Sequence, residues 1–294
     1  MGYSSYSTDD RSYRSKSMDF MSVTNSVADT NRVFTQNVKK AIHETLSPFG
    51  LKFRECRDSE AHPNTLPILL GLDLTGSMLN IPKELIKDGL PTMMSTLIQR
   101  GLTDAAVCFL GIGDHECDRA PIQVAQFESG DAELDLHLTR TWLEGNGGGN
   151  AGESYLLAYY VAAYHTKHDN WEKRGKKGYL FTIGDEPCLE TLPGNAIKEL
   201  FGEGEAVQGG FTVAQILKKA QETYHVYHLN INEHCKGCLN EWQKRLGQNC
   251  IGVDNYMDVP KIIADIVATH EKAYGVAVTP TPSVKDEDGP SITL

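Results

Sequence analysis

Between residues 66 and 275, short apolar runs alternate with longer segments in which apolar residues recur every three or four positions. The short runs are continuous, which is typical of strands that are covered on both faces of a sheet. This pattern predicts strands at 67–73, 105–112, 122–127, 178–183, 224–231 and 250–253. It predicts helices at 81–100, 131–143, 153–167, 194–201, 212–222, 238–246 and 258–273.

Strands that alternate with helices predict an α/β fold, a Rossmann-like open, mostly parallel sheet with helices on both faces. Pro121 precedes the third strand and indicates an edge position, because proline cannot donate to a strand ladder. Pro91 lies inside the first long helix and predicts a kink there. Ligands of such folds bind beyond the carboxyl ends of the strands, where the strand order reverses.

The chain is predicted to have flanking segments on both sides of this domain. We assign residues 1–60 to an N-terminal extension, 61–275 to the main domain and 276–294 to a C-terminal tail. The first 20 residues contain few large aliphatic side chains, so we expect a mobile start. Apolar spacing predicts a helix at about 29–46, and alternation over 51–56 predicts a short strand.

Composition narrows the function classes. The 294 residues carry a net charge of −11, which disfavours nucleic-acid and anionic-membrane binding and suits a protein that holds cations. The sequence has no run of 18 apolar residues, and its Ser/Tyr-rich start lacks the apolar segment of a secretory signal. Seven cysteines, an odd number, indicate a reducing compartment, so we expect a cytoplasmic protein.

Oxygen-bearing side chains stand at or near the predicted carboxyl ends of strands in three separate loops. They are, in chain order, Asp73, Thr75, Ser77, Glu153 and Asp185. The carboxyl ends of parallel strands meet at one edge of a sheet, so these three loops can converge there. Carboxylate and hydroxyl oxygens are hard ligands of the kind that Mg²⁺ and Mn²⁺ prefer. The sequence therefore predicts a divalent-cation site at this edge.

The arrangement resembles the metal-ion-dependent adhesion site of von Willebrand factor A domains. Residues 73–77 are similar to that family's first motif, Asp-x-Ser/Thr-x-Ser, and Asp185 is similar to the Asp of its third motif. The middle loop resembles the Gly-Gly-Gly-Asp-x-Pro-Glu form of hemicentin-like and α-kinase-associated A domains. Here Asn150 replaces the Asp and Gly152 replaces the Pro, while Glu153 is retained, as in the loop of integrin β subunits whose Glu binds the metal.

The resemblance implies both a mechanism and a function. Thr75 and Ser77 are expected to bind Mg²⁺, Mn²⁺ or Ca²⁺ directly, Glu153 directly or through water, and Asp73 and Asp185 by either route. An acidic side chain of a protein partner then fills the open coordination position. The expected function is thus a metal-dependent protein-interaction module without catalysis, within a larger intracellular or viral assembly. Self-assembly and an AAA+ ATPase of the MoxR type are the alternative partners.

Other interpretations of these residues stay open at this point. The first motif alone also fits a helix start, with Ser77 or Asn80 as the cap. Asn150 is either a spare ligand or a turn residue, and Asp114 is either a support for the site or a solvated loop carboxylate. The glycine-rich loop lacks the Gly-Lys-Ser/Thr ending of a phosphate loop, which disfavours a nucleotide.

An enzyme is the alternative function class. Asp73, two residues before Thr75 at the end of a buried strand, superficially resembles the nucleophile of haloacid-dehalogenase phosphatases. That chemistry makes a divalent-metal phosphoester hydrolase the rival of the binding module. Thr75 is a poor general acid, and the glycine-rich loop has no role in such a reaction.

The cysteines and tyrosines outside this constellation allow simpler roles. Cys235 and Cys238 form a Cys-x-x-Cys pair beside His234, and His225 and His228 precede them. A structural zinc site, a redox pair and ordinary loop thiols are the three interpretations, although zinc needs four convergent ligands. The tyrosines of the helix at 153–167 are interpreted as packing and rim residues; they are Tyr155, Tyr159, Tyr160 and Tyr164.

Overall fold

The fold was obtained as a computed structural model. It describes residues 4–7, 9, 26–145, 150, 152–202, 209–232, 238–273 and 275. Most of the predicted mobile start, the whole predicted tail, and residues 146–149 and 151 of the glycine-rich loop lie outside this described part.

Ten strands and eleven α-helices make up the described regular structure. The strands are β1 (Arg54–Cys56), β2 (Leu66–Asp73), β3 (Ala105–Ile112), β4 (Ile122–Val124), β5 (Thr166–His168), β6 (Gly178–Gly184), β7 (Thr191–Leu192), β8 (Phe211–Thr212), β9 (Tyr224–Ile231) and β10 (Cys250–Val253). The helices are α1 (Val27–Val33), α2 (Gln36–Lys39), α3 (Ile81–Glu84), α4 (Leu90–Gln99), α5 (Asp131–Thr139), α6 (Tyr155–Tyr164), α7 (Asp169–Glu172), α8 (Gly194–Phe201), α9 (Val213–Ala220), α10 (Cys238–Leu246) and α11 (Val259–Ala273).

The central sheet has six strands in the order β10-β9-β6-β2-β3-β4, and only β4 runs antiparallel to its neighbour. This confirms the predicted open, mostly parallel sheet with an antiparallel edge strand. The chain leaves β2 toward β3 on one side and later returns to β6 on the other, so the strand order reverses at β2. The crevice expected at such a switch point therefore lies beside Asp73, the last residue of β2.

Helices cover both faces of the sheet because β2 is apolar on both sides. Ile68, Leu70 and Leu72 join a buried cluster that contains residues of α4 and α11. Leu69 points the other way and joins a second cluster that contains residues of α6 and α9. No helix in the described ranges is both long enough and apolar enough to span a membrane.

The predicted helix at 29–46 is wrong in extent. The structure has α1, α2 and a 3₁₀ turn at Glu44–Leu46 in its place. Lys40 adopts a left-handed conformation with φ 52° and ends α2. Val27 and Val38, whose spacing supported the prediction, are 75% and 67% exposed, so this apolar periodicity did not mark a buried helix face. Part of this N-terminal region still packs on the main domain, since Phe34 belongs to the core cluster of α4 and α11.

The kink predicted at Pro91 takes the form of a π-helical turn. Residues Leu85–Gly89 form this turn between α3 and α4, and the Leu90 N–H donates to the Leu85 carbonyl. Such a turn adds one residue to the helical repeat just before the proline, which has no N–H to donate. Four short strands and helices were not predicted, because two to four residues are too few to show a period; they are β5, β7, β8 and α7.

Candidate metal site

The loop after β2 turns its hydroxyl groups toward carboxylates. Leu74 continues the sheet, its N–H donating to the Ile112 carbonyl at 2.8 Å, and residues Gly76–Met78 form a 3₁₀ turn. The Thr75 N–H and Thr75 hydroxyl both donate to Asp73 Oδ1, at 2.9 and 2.6 Å. The Thr75 proton is thereby directed at Asp73, and the lone pairs of its oxygen remain available to a cation.

Ser77 repeats this arrangement with the neighbouring strand. Its hydroxyl donates to Asp185 Oδ1 at 2.8 Å, across the gap between the ends of β2 and β6. The hydroxyl oxygens of Ser77 and Thr75 are 3.4 Å apart. Two ligands at right angles around Mg²⁺ or Ca²⁺, at roughly 2.0–2.6 Å from the ion, lie roughly 2.9–3.7 Å apart. One divalent cation can therefore contact both hydroxyls.

Glu153 is tied to the same corner by its backbone. Its N–H donates to the Pro187 carbonyl at 2.8 Å, and its own carbonyl accepts from the Leu189 N–H at 3.0 Å. Gly152 precedes it with φ +144°, and a Cβ there would lie 3.0 Å from the Pro187 oxygen. The loop that carries Glu153 thus runs alongside the segment that follows Asp185, forming a parallel bridge to Cys188.

The carboxyl group of Glu153 is buried in a setting that disfavours its charged form. The residue is 6% exposed, and its Oε2 has no hydrogen-bond partner within the described part of the chain. Burial raises the pKa of Glu153 to about 9, with Asp73, Asp118 and Asp114 adding to the rise and Thr75 opposing it. A bound cation would reverse this shift, because it favours the ionised carboxylate.

Asp73 accepts a second hydrogen bond, from a buried tyrosine. Tyr155 donates its hydroxyl proton to Asp73 Oδ2 at 2.6 Å, and both residues are 0% exposed. Burial raises the pKa of Asp73 to about 6; the hydrogen bonds from Thr75 and Tyr155 oppose the rise, and Asp185 adds to it. A Cβ at Gly184 would lie 1.9 Å from the Tyr155 oxygen, so only glycine leaves room for this contact.

Asp114 belongs to the surroundings of the site. It is 1% exposed, so the interpretation as a solvated loop carboxylate is wrong. Its Oδ1 accepts from the Glu116 N–H at 2.8 Å and lies 3.5 Å from the Ser154 hydroxyl, and its Oδ2 has no partner among the residues described. Asn150 is exposed, and its amide donates to Glu116 Oε2 at 2.8 Å.

The charge balance favours a cation. Within the described ranges, no lysine or arginine forms an ion pair with Asp73, Glu153 or Asp114. Three buried carboxylates without a counter-charge are costly unless they are protonated or neutralised by an ion. No three His, Cys, Asp or Glu side chains in the described part are close enough together to hold a metal, so the fit depends on the two hydroxyls.

Two of the other interpretations do not fit the geometry. Asn80 occupies the N-cap position of α3 but makes no capping bond, and the Ser77 hydroxyl is bonded to Asp185 instead. The helix-cap interpretation is therefore wrong. Asp73 receives hydrogen bonds on both oxygens, from Thr75 on Oδ1 and from Tyr155 on Oδ2. A buried carboxylate held in this way is poorly placed to attack a phosphoester.

His228, the buried histidine that contacts α10, serves the fold. His228 is 0% exposed, stacks on Trp242 with ring centroids 3.7 Å apart, and lies 2.9 Å from the Thr182 hydroxyl through Nδ1. Cys238 is disulfide-bonded, so the interpretation as an ordinary thiol is wrong for it. His234 and Cys235 lie outside the described residues. Among the described residues, the free cysteines are Cys56, Cys108, Cys117, Cys188 and Cys250.

Sequence reasoning missed two residues of the site. Tyr155 was interpreted as a packing or rim residue, yet its hydroxyl bonds directly to Asp73. Gly184 makes that contact possible, and it was quoted only as part of the loop motif. The available signal was position: Tyr155 follows Glu153 by two residues, and Gly184 directly precedes Asp185. Tyr159 and Tyr160 are buried packing residues, as predicted.

Comparisons with known proteins give fold-level likenesses at low similarity. No protein-family model matches the sequence, and no curated protein matches it. The pilus adhesin SpaC of Lactobacillus rhamnosus GG, in its open conformation, is 11% identical with a TM-score of 0.46, over 73% of this chain and 30% of that one. Proximal thread matrix protein 1 of the mussel byssus is 10% identical with a TM-score of 0.44, over 73% of this chain and 49% of that one.

A third solved structure is covered almost completely. The vWF domain of the type V pili tip protein Mfa5 from Porphyromonas gingivalis is 11% identical with a TM-score of 0.44, over 71% of this chain and 96% of that one. All three TM-scores are below 0.5, so these likenesses carry no argument about this chain. The case for a function therefore depends on the site itself.

Proposed function

We propose that this chain is a metal-dependent protein-interaction module of the von Willebrand factor A type. Thr75 and Ser77 would hold Mg²⁺, Mn²⁺ or Ca²⁺ through their hydroxyls. Glu153, Asp73 and Asp185 would supply negative charge directly or through water. The bound cation would offer an open position to an acidic side chain of a partner protein.

One observation carries the proposal: two hydroxyls 3.4 Å apart each donate to a buried carboxylate, beside the unpartnered Oε2 of Glu153. The hydrogen bonds from Thr75 and Ser77 orient their lone pairs and make the oxygens more basic, as the outer partners of metal ligands do. A cation would supply the counter-charge that no lysine or arginine in the described ranges gives to Asp73 or Glu153.

Contacts outside the five candidate ligands hold those ligands in position. Tyr155 fixes Asp73, and the backbone bridge from Glu153 to Cys188 fixes the second ligand loop against the third. Ligands held by a rigid sheet edge need little reorganisation on binding, which favours affinity. The cytoplasmic location, the larger assembly and the two kinds of partner, another copy or an AAA+ ATPase, stay predictions.

Metal binding is the direct test. Titration of the full chain with Mn²⁺, followed by electron paramagnetic resonance, should show one tight site that Mg²⁺ competes for. Thr75→Val keeps the shape of the side chain and removes the hydroxyl, so we expect at least a tenfold loss of Mn²⁺ affinity. Thr92→Val is the matched control, because the Thr92 hydroxyl donates to the Asp88 carbonyl on an exposed helix. Wild-type protein that binds no Mn²⁺, or equal affinity in both variants, would contradict the proposed site.

Partner capture tests the second half of the proposal. Peptides displayed on phage, with a fixed central Asp between random residues, should bind immobilised protein in Mg²⁺ and be released by EDTA. A parallel library with Asn in place of the fixed Asp is the control, and it should give no metal-dependent capture. Equal capture of the two libraries, or capture that survives EDTA, would show that no cation bridges the protein to the acid.

A further inference from the structure

Leu79 is unusual in two ways: its apolar side chain is exposed, and its backbone adopts a conformation that leucine rarely adopts. The side chain is 70% exposed, whereas the neighbouring Met78 and Ile81 are 0% and 4% exposed. Its backbone has φ 50° and ψ −117°, outside the regions that side-chain-bearing residues normally adopt. Leu79 is therefore an exposed leucine held in a strained turn.

The turn is one that favours glycine. Leu79 at φ 50°, ψ −117° and Asn80 at φ −90°, ψ −8° match the two central positions of a type II′ turn, about (60°, −120°) and (−80°, 0°). Glycine dominates the first of these positions, because a Cβ is strained there. Strain of this kind is found where the residue serves binding or catalysis. Leucine in place of glycine thus points to a role for the side chain itself.

The position of Leu79 connects it to the candidate metal site. Leu79 follows Ser77 by two positions, so their Cα atoms are at most about 7 Å apart. In an extended peptide, side chains i and i+2 lie on one face and are also about 7 Å apart. A partner strand that offers a carboxylate to the cation can thus place an aliphatic side chain against Leu79.

We propose that Leu79 is a specificity-determining contact, which selects partner segments that carry an aliphatic side chain two positions from the acidic residue. This inference rests on the proposed function, since the acidic residue locates the segment. The cation supplies charge complementarity for the acid, and Leu79 supplies the apolar surface beside it. The exposed leucine then loses its contact with water only in the complex.

The Asp-centred phage library described above tests the proposal. In Mg²⁺, wild-type protein should enrich Leu, Ile, Val or Met at least fivefold at a position two residues from the fixed Asp. Leu79→Gly should still capture Asp peptides and release them in EDTA but lose that aliphatic preference, whereas Leu79→Met should retain it. Phe49→Ser is the matched control, because Phe49 is 66% exposed outside the site, and it should leave the preference unchanged.

Each outcome is decisive. If wild-type protein fails to distinguish the Asp library from the Asn library, the proposed function fails and this inference fails with it. If Asp peptides are captured without an aliphatic preference, or the preference survives Leu79→Gly, only this inference is overturned. The thermal midpoint gives a second readout: Leu79→Gly should match or exceed wild type, because glycine suits the turn. If the thermal midpoint of Leu79→Gly is lower than that of wild type by several degrees, Leu79 serves the fold instead.

Discussion

A double-mutant cycle at Gly184 and Tyr155 tests how the fold positions Asp73. Tyr155→Phe removes the hydroxyl that donates to Asp73 Oδ2 at 2.6 Å in a fully buried setting. Hydrogen bonds to charged groups contribute about 1.5–3 kcal/mol, so the free energy of unfolding should fall by about that amount. The affinity for Mn²⁺ should fall about 10–100-fold, as it does when a partner that orients a metal ligand is lost.

Gly184→Ala perturbs the same contact by overpacking. The added Cβ would lie 1.9 Å from the Tyr155 oxygen, 2.7 Å from the ring carbon Cζ and 2.9 Å from Asp73 Oδ2. The tyrosine must shift, so we expect a loss of about 1–3 kcal/mol in stability and a weaker site. In the double variant the clash with the hydroxyl is absent, although the ring contact remains. The double variant should therefore be more stable than the sum of the single effects predicts, by about 1–2 kcal/mol.

The assay is urea unfolding followed by tryptophan fluorescence, combined with Mn²⁺ titration of each folded variant. Trp242 reports on this region, because its ring centroid lies 5.2 Å from that of Tyr155. Tyr159→Phe is the matched control on the same helix: its hydroxyl is also buried, but it lies 3.3 Å from the Thr182 hydroxyl and does not contact Asp73. We expect it to leave the affinity for Mn²⁺ unchanged. The reasoning would be refuted if the losses in free energy of unfolding at 155 and 184 added within about 0.5 kcal/mol and all three variants bound Mn²⁺ as tightly as wild type.

Two further predictions concern acid stability and the second ligand loop. Burial lowers the pKa of His168 to about 4 from its ordinary 6.5, so the free energy of unfolding should fall by up to about 3 kcal/mol as pH drops from 6.5 to 4. His168→Asn keeps an acceptor for the Trp171 N–H and should flatten that part of the stability–pH curve; an unchanged slope in urea titrations would contradict this. Gly152→Ala places a Cβ 3.0 Å from the Pro187 oxygen at φ +144°, so Mn²⁺ binding and the thermal midpoint should both fall. Wild-type values for both would mean that the loop tolerates a side chain.

The central sheet was predictable because its strands are unbroken apolar runs. The predicted strands at 105–112, 224–231 and 250–253 match β3, β9 and β10, and the structure extends the first predicted strand by only one residue. A strand buried on both faces needs such a run, and polar residues mark its ends. The positions of Asp73 and Asp185 at the carboxyl ends of two neighbouring strands followed from the parallel order, which the alternation of strands and helices already required.

The parts that the sequence did not reveal depend on contacts between distant segments. The bond from Tyr155 to Asp73 joins residues 82 positions apart, and nothing in the local pattern of α6 separates Tyr155 from the packing tyrosines. The early end of the predicted N-terminal helix also depends on its surroundings and not on the local sequence. Lys40 ends α2 in a left-handed conformation although lysine is a good helix former, so its surroundings override its propensity.

The middle loop differs from the motif that it resembles, and the structure shows how its backbone is accommodated. The resemblance expected proline where this chain has Gly152, and proline requires φ near −65°. Gly152 has φ +144°, which proline cannot adopt, and its backbone approaches the Pro187 carbonyl so closely that a Cβ there would lie 3.0 Å from the oxygen. That approach lets Glu153 form a backbone bridge to Cys188, three residues after Asp185. Main-chain hydrogen bonds thus join the loop that carries Glu153 to the segment that follows Asp185, and Gly152 leaves room for them.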